Sequence, residues 1–170
     1  MAKNITIDLT EKGLHRVMEE IRAYQRWMES KERELRQRLA SLGATVASIQ
    51  FSRAIYNGSN DVTVRVDDTG SVAVIYAEGK SVAFIEFGSG AKYGYGHPQA
   101  DALGVGPGTY SDGPDGEGHW DEKDHNGNYK GWWYGRGQHS FGNPPAMAMA
   151  KAVEVMTEQI TMIAREVFSK

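Results

Sequence analysis

The sequence predicts an α+β fold, in which a long N-terminal helix and a C-terminal helix pack on a small antiparallel sheet. A long insertion rich in glycine and aromatic residues separates the sheet from the last helix. Three observations predict this. An apolar heptad runs through the first forty or so residues, three short apolar runs follow with turn signals between them, and a second amphipathic stretch closes the chain. A length of 170 residues suits a single domain over 1–170.

The first helix is expected over 10–42. Leu14, Ile21, Met28, Leu35 and Leu42 recur every seventh residue, and Val17, Met18, Tyr24 and Leu39 widen the stripe to one face. The residues between them, such as Glu19, Arg22, Arg26 and Glu29, mix charges of both signs, as on a solvated face. Thr10 is placed to cap the start and Gly43 to stop the end. Residues 44–56 fit a short helix, and their β-branched content keeps a strand as the alternative. Asn57-Gly58 then turns the chain.

A three-stranded meander is expected over 61–87. Val62, Val64 and Val66 alternate with Thr63 and Arg65. Asp68-Thr69-Gly70 makes a turn, and Val72 to Ala77 and Val82 to Phe87 are divided by Glu78-Gly79-Lys80. Strands this short need a helix on one face. Residues 88–142 hold 15 of the 20 glycines and sustain neither a strand nor a helix period, so they read as a long loop with room for short strands. Tyr93, Tyr95, Tyr110, Trp120, Tyr129, Trp132, Trp133 and Tyr134 give this segment the composition of one that orders on contact with a partner. The last helix is expected over 143–168, with Asn143 as cap and Pro144 in the first turn. Its apolar stripe is Met149, Val153, Met156, Ile160, Ile163 and Val167.

Composition excludes several chemistries. The chain has no cysteine, so disulfides, thiolate metal sites and cysteine nucleophiles are ruled out. A net charge of -3 provides no global basic field for nucleic acid. No apolar run is long enough to span a bilayer, and Met1 to Thr10 lacks the apolar core of a signal peptide, so a cytoplasmic site of synthesis is expected.

The motifs that imitate active chemistry fail on spacing. Gly79-Lys80-Ser81 has Val74 where a phosphate loop needs its first glycine. Gly104-Val105-Gly106-Pro107-Gly108 neither follows an apolar strand nor opens a helix. His97, His119, His125 and His139, with Asp121 and Asp124, match no zinc box, and a calcium loop beginning at Asp124 would need its glycine at Tyr129. No metal, cofactor or catalytic set is therefore expected. The insertion's Lys92, Lys123, Lys130 and Arg136 are outnumbered by acids, so its aromatics suit a protein interface better than base stacking. Trp120, Trp132, Trp133 and Tyr134 are the candidate interface residues. Glu86 ends an apolar run just before Gly88-Ser89-Gly90. Without a partner at a recognisable spacing, it reads as a structural carboxylate that accepts hydrogen bonds from backbone N–H groups of the loop.

Several blocks carry a resemblance. They are Phe51-Ser52-Arg53-Ala54-Ile55-Tyr56-Asn57-Gly58 with Asn60 to Val64, and Val82-Ala83-Phe84-Ile85-Glu86-Phe87-Gly88-Ser89-Gly90 with His97-Pro98 after it. Pro107 to Ser111 with Trp120, and Gly142-Asn143-Pro144-Pro145-Ala146-Met147 with Ala150, complete the set. In this order they resemble the tail-completion, or head–tail joining (neck), proteins of long-tailed bacteriophages, with Glu86, Phe87, Gly88 and Gly90 as the structural signature. The resemblance covers about Leu42 to Ala152. It implies a virion structural protein with no catalysis and no cofactor, acting as a homo-oligomeric, hexameric ring during virion assembly. Its implied partners are the tail tube or tail terminator protein and the neck proteins, with no specific nucleic acid and no membrane. Its implied location is the viral tail or neck, and the host cytoplasm during assembly. The competing expectation is a glycan- or cell-wall-binding module, with Trp120, Trp132 and Trp133 as a sugar platform and Glu86 as an acid.

Overall fold

The computed structural model describes residues 10–54, 60–88, 97, 99, 102, 125–128, 132–134, 138–140 and 142–169. It has the α+β architecture: a long helix, a two-stranded antiparallel ribbon, a short helix, a small second ribbon and a C-terminal helix.

Helix α1 spans Glu11–Arg53. Thr10 is extended (φ -80°, ψ 155°), and its hydroxyl accepts the Gly13 N–H at 3.1 Å, so the predicted cap is in place. The predicted stop at Gly43 is not. The helix runs through it and absorbs the segment that was left between short helix and strand. Gly43 is buried, and a Cβ there would stand 2.5 Å from Met156 Sδ and 2.6 Å from Ile75 Cδ1. This glycine is needed for close packing, a role that its residue type shares with helix termination. The helix ends at Arg53. Asn60 Nδ2 then donates to the carbonyls of Phe51 and Ala54, partners for the last turn.

Strands β1 (Thr63–Asp67) and β2 (Val74–Glu78) pair antiparallel, with Val64 opposite Ala77 and Val66 opposite Ile75. Val62, Val64, Ile75 and Ala77 are half-buried toward the helices. On the other face, Arg65 and Glu78 form an ion pair at 3.1 Å. Arg36 of α1 ties the ribbon down, through Asp68 Oδ1 at 3.1 Å and the Ser71 carbonyl at 3.0 Å.

The third predicted strand is a helix, α2 (Val82–Phe87). A six-residue apolar run without polar alternation has no period to tell a strand from a buried helical turn. The turn before it decides the matter. Gly79 sits at φ +147°, where a Cβ would meet the Asp61 carbonyl oxygen at 2.7 Å. The Asp61 carboxylate accepts the N–H groups of Lys80 at 2.7 Å and Ser81 at 3.0 Å. These bonds hold the Asp61 carboxyl below its ordinary value, the Lys80 N–H being the largest influence. The amides that open α2 are thus turned back onto Asp61, and the chain cannot continue along the ribbon.

Within the predicted loop, Trp132–Tyr134 (β3) and Gln138–Ser140 (β4) pair antiparallel, Trp133 opposite His139. The last helix, α3, spans Ala148–Phe168 and so starts later than predicted from Asn143 and Pro144. A residue that precedes proline is driven out of helical geometry, and both Asn143 and Pro144 do so. The predicted stripe holds at Ile163 and Val167, which are buried, and fails at Val153 and Ile160, which are 56% and 45% exposed, while Ala148 and Ala152, outside the stripe, are buried. Small residues let α3 approach α1 closely, so the alanine face turns inward against Ala47 and Phe51. Ile85 completes this cluster, and Phe51 is among the largest fully buried side chains described.

Candidate functional site

The cluster sits beneath a junction of α2, α3 and His97. Among the described residues, Glu86 and His97 are the buried ionisable side chains, 5% and 4% exposed. Glu86 is in the last turn of α2. Its Oε2 accepts the Met149 N–H at 2.9 Å, and its Oε1 accepts the Ala150 N–H at 3.1 Å and meets His97 Nε2 at 3.2 Å. His97 Nδ1 accepts the Gln99 N–H at 3.0 Å, so the ring proton of a neutral imidazole sits on Nε2 and is donated to Glu86. The Phe87 ring lies against the imidazole with centroids 4.5 Å apart.

A helix leaves its first N–H groups without partners inside the helix and carries partial positive charge there. The residue before α3 is Met147, in the left-handed region (φ 52°, ψ 40°), with no side chain to cap those groups. Glu86 supplies the missing acceptors from another part of the chain. Backbone bonds reinforce the contact: the Ala146 N–H donates to the Ile85 carbonyl at 2.8 Å, and the Met147 N–H to the Glu86 carbonyl at 3.2 Å. Gly88 follows at φ +77°, where a Cβ would lie 2.7 Å from the Asn143 carbonyl oxygen and 2.8 Å from Pro145 N. Only glycine fits there, on both conformational and steric grounds.

Among the described residues, the backbone donors to Glu86 come from the first turn of α3, and the loop from Ser89 that was expected to supply them lies outside the described residues. His97 was considered among scattered histidines; nothing in its spacing announces the bond to Glu86, although the resemblance had placed it in the same block. Phe87 and Gly88 join the junction, while Gly90 lies outside the described residues. Trp120 also lies outside them. Trp132, Trp133 and Tyr134 form β3, and their side chains are outside what is described. His125 is exposed. Among the described residues, no cluster of three or more His, Asp or Glu side chains could hold a metal ion, and no helix is long and apolar enough to cross a membrane.

A cleft of about 660 Å³ opens beside the pair, bordered by Ala77, Val82, Phe87, Met149 and Val153, with Lys151 and Glu154 also at its edge. Both carboxylate oxygens of Glu86 are engaged by α3 N–H groups, one of them by His97 as well. Among the described residues, the bonds these oxygens accept tie the carboxylate to α3 and His97. Comparisons with family models, curated proteins and solved structures gave no match to this chain.

Proposed function

We propose that the chain is a non-enzymatic structural subunit of a bacteriophage particle, of the tail-completion or head–tail joining type. It works in an oligomeric ring, hexameric by family resemblance, at the head-proximal end of a tail. Its neighbours are the tail tube or tail terminator protein and the neck proteins.

One observation carries this reading. Two of the blocks that carry the resemblance, around Glu86-Phe87-Gly88 and Gly142 to Met147, are far apart in sequence yet interlock at one junction. The engagement of Glu86 also weighs against its use as an acid, which the glycan-active alternative requires.

The test is immunogold electron microscopy of particles purified from cells that make the chain together with its neighbouring gene products. Label is expected at the head-proximal end of the tail, and omission of the chain should leave free heads and unjoined tails. Absence of the chain from purified particles would overturn the reading. So would a hydrolase activity that disappears in Glu86→Gln, and specific polysaccharide binding by a monomer would favour the glycan module.

A further inference from the structure

Helix α3 lies antiparallel along α1, and four contacts set the register. Lys151 Nζ meets Gln50 Oε1 at 3.4 Å, Met156 packs over Gly43, Arg38 Nη2 meets Glu166 Oε2 at 2.7 Å, and Phe168 stands edge-on to Trp27 with ring centroids 6.0 Å apart. Phe168 is the last residue of α3, so the stretch of α1 from Glu11 to Arg26, roughly 24 Å of helix, extends past it.

A helical stretch of that length is marginal by propensity alone, and one bathed in water should be polar all round. This one is not. Leu14, Met18, Ile21, Tyr24 and Met28 are 48, 49, 44, 48 and 38% exposed. At about 100° per residue they share one arc of roughly 120°. Together they present about 450 Å² of largely apolar surface, within the range of the largest patch on an ordinary monomer and the kind that is often functional. The stripe alone is a little over half of the roughly 800 Å² that one partner gives to a standard interface.

We infer that this stripe is covered by the same stripe of a second copy of the chain, the two α1 helices lying side by side, parallel and in register. The seven-residue recurrence of Leu14, Ile21 and Met28 is the period that such a seam requires. Charge fixes the direction. Glu20 and Arg22 flank Ile21, about 100° to either side of it. Parallel pairing sets Arg22 of one copy beside Glu20 of the other. Antiparallel pairing about Ile21 sets Arg22 against Arg22 and Glu20 against Glu20. Both groups bond within their own helix, Arg22 to Glu19 at 2.8 Å and Glu20 to Arg16 at 3.4 Å, and both retain exposed surface. A same-on-same seam of this kind closes on a two-fold axis, so it pairs copies and does not by itself build a larger ring. It does not depend on the virion reading.

The absence of cysteine makes the test direct, because introduced thiols report their neighbours. Under mild oxidation, Leu14→Cys is expected to form a disulfide-linked dimer by itself. An antiparallel seam would instead link Leu14→Cys to Met28→Cys in a mixture and leave Leu14→Cys alone unlinked. In sedimentation, the parent chain is expected to associate as its concentration rises. Ile21→Asp should weaken that association about ten-fold or more, while the thermal midpoint of the dilute, unassociated chain stays unchanged because Ile21 lies beyond the reach of α3. A chain that stays monomeric at high micromolar concentration, or that links only position 14 to position 28, overturns the inference. A monomer that nonetheless enters particles would sink this inference alone and leave the virion reading standing.

Discussion

Replacing Glu86 with Gln keeps the size of the side chain and removes its charge, and the geometry of the junction gives the consequence. Three N–H donors converge on the carboxylate, from Met149, Ala150 and His97. A glutamine offers one carbonyl oxygen and one NH2 group. If the oxygen faces Met149, the NH2 group confronts the Ala150 N–H and the His97 Nε2–H, donor against donor. His97 cannot relieve this by moving its proton, because its Nδ1 already accepts from Gln99. Loss of charge assistance on the bonds that survive costs about 1–2 kcal/mol, and a buried N–H left without an acceptor costs about 1–3 kcal/mol. The expected total is about 2–5 kcal/mol, a large share of the roughly 5–15 kcal/mol that holds a domain together. For a chain of this size that corresponds to a midpoint lower by roughly 4–20 °C. The assay is thermal unfolding followed by the helical circular dichroism signal, paired with amide hydrogen exchange. The Met149 and Ala150 amides should exchange faster in the variant by a larger factor than the amide of Ile163, deep in α3. A midpoint within about 2 °C of the parent, with unchanged exchange at Met149 and Ala150, would refute the reasoning.

Gly88→Ala should be worse than Glu86→Gln, by more than about 3 kcal/mol, because its Cβ would enter a positive-φ position against backbone atoms of Asn143 and Pro145 that cannot turn aside; denaturant titration reads this directly. Phe51→Ala should cost about 3–5 kcal/mol by the same measurement, since Phe51 is 1% exposed within the cluster of Ala47, Ile85, Ala148 and Ala152. Asp61→Asn addresses acid stability. The folded-state value of Asp61 is lowered from 3.8, so its contribution is fully present above that value and is lost as pH falls through the folded one. The variant should therefore be less stable than the parent near neutrality and lose less on acidification below about pH 4, as read from unfolding midpoints across the acid range.

The elements that were legible in sequence are those whose signal is local. Thr10 as cap and the heptad through Leu14, Ile21 and Met28 needed only the chain nearby, and the Val62–Val64 alternation marked its strand. The misreadings share one cause, which is that tertiary partners decided the outcome. Gly43 carries the residue type of a helix stop, and only the arrival of Met156 and Ile75 explains why it lies mid-helix. Val82 to Phe87 reads as a strand, and it is a helix because Asp61 captures the amides that begin α2. The stripe on α3 was assigned to its largest apolar residues, whereas close packing favoured Ala148 and Ala152. At the candidate site, the residue type of Glu86 and its setting pointed to backbone donors. Which donors they were depended on a helix that begins far along the chain, and the role of His97 depended on the folded position of Gln99 as well.

Gly88 and Asn143 touch, so the polypeptide between them leaves and re-enters the frame at nearly the same point. The frame fixes the mouth of that excursion whatever its size. Closing a flexible loop costs only about 0.6 kcal/mol more for each doubling of its length. Past His97 and Gln99, which belong to the junction, the stretch up to Gly142 is therefore a natural graft site. It can be shortened, lengthened or exchanged for a folded module whose own ends lie close together, while α1, the ribbon and α3 remain as they are. Variation in what the protein must recognise can be confined to that excursion, and the clamp made by Glu86, Gly88 and the start of α3 is what permits it.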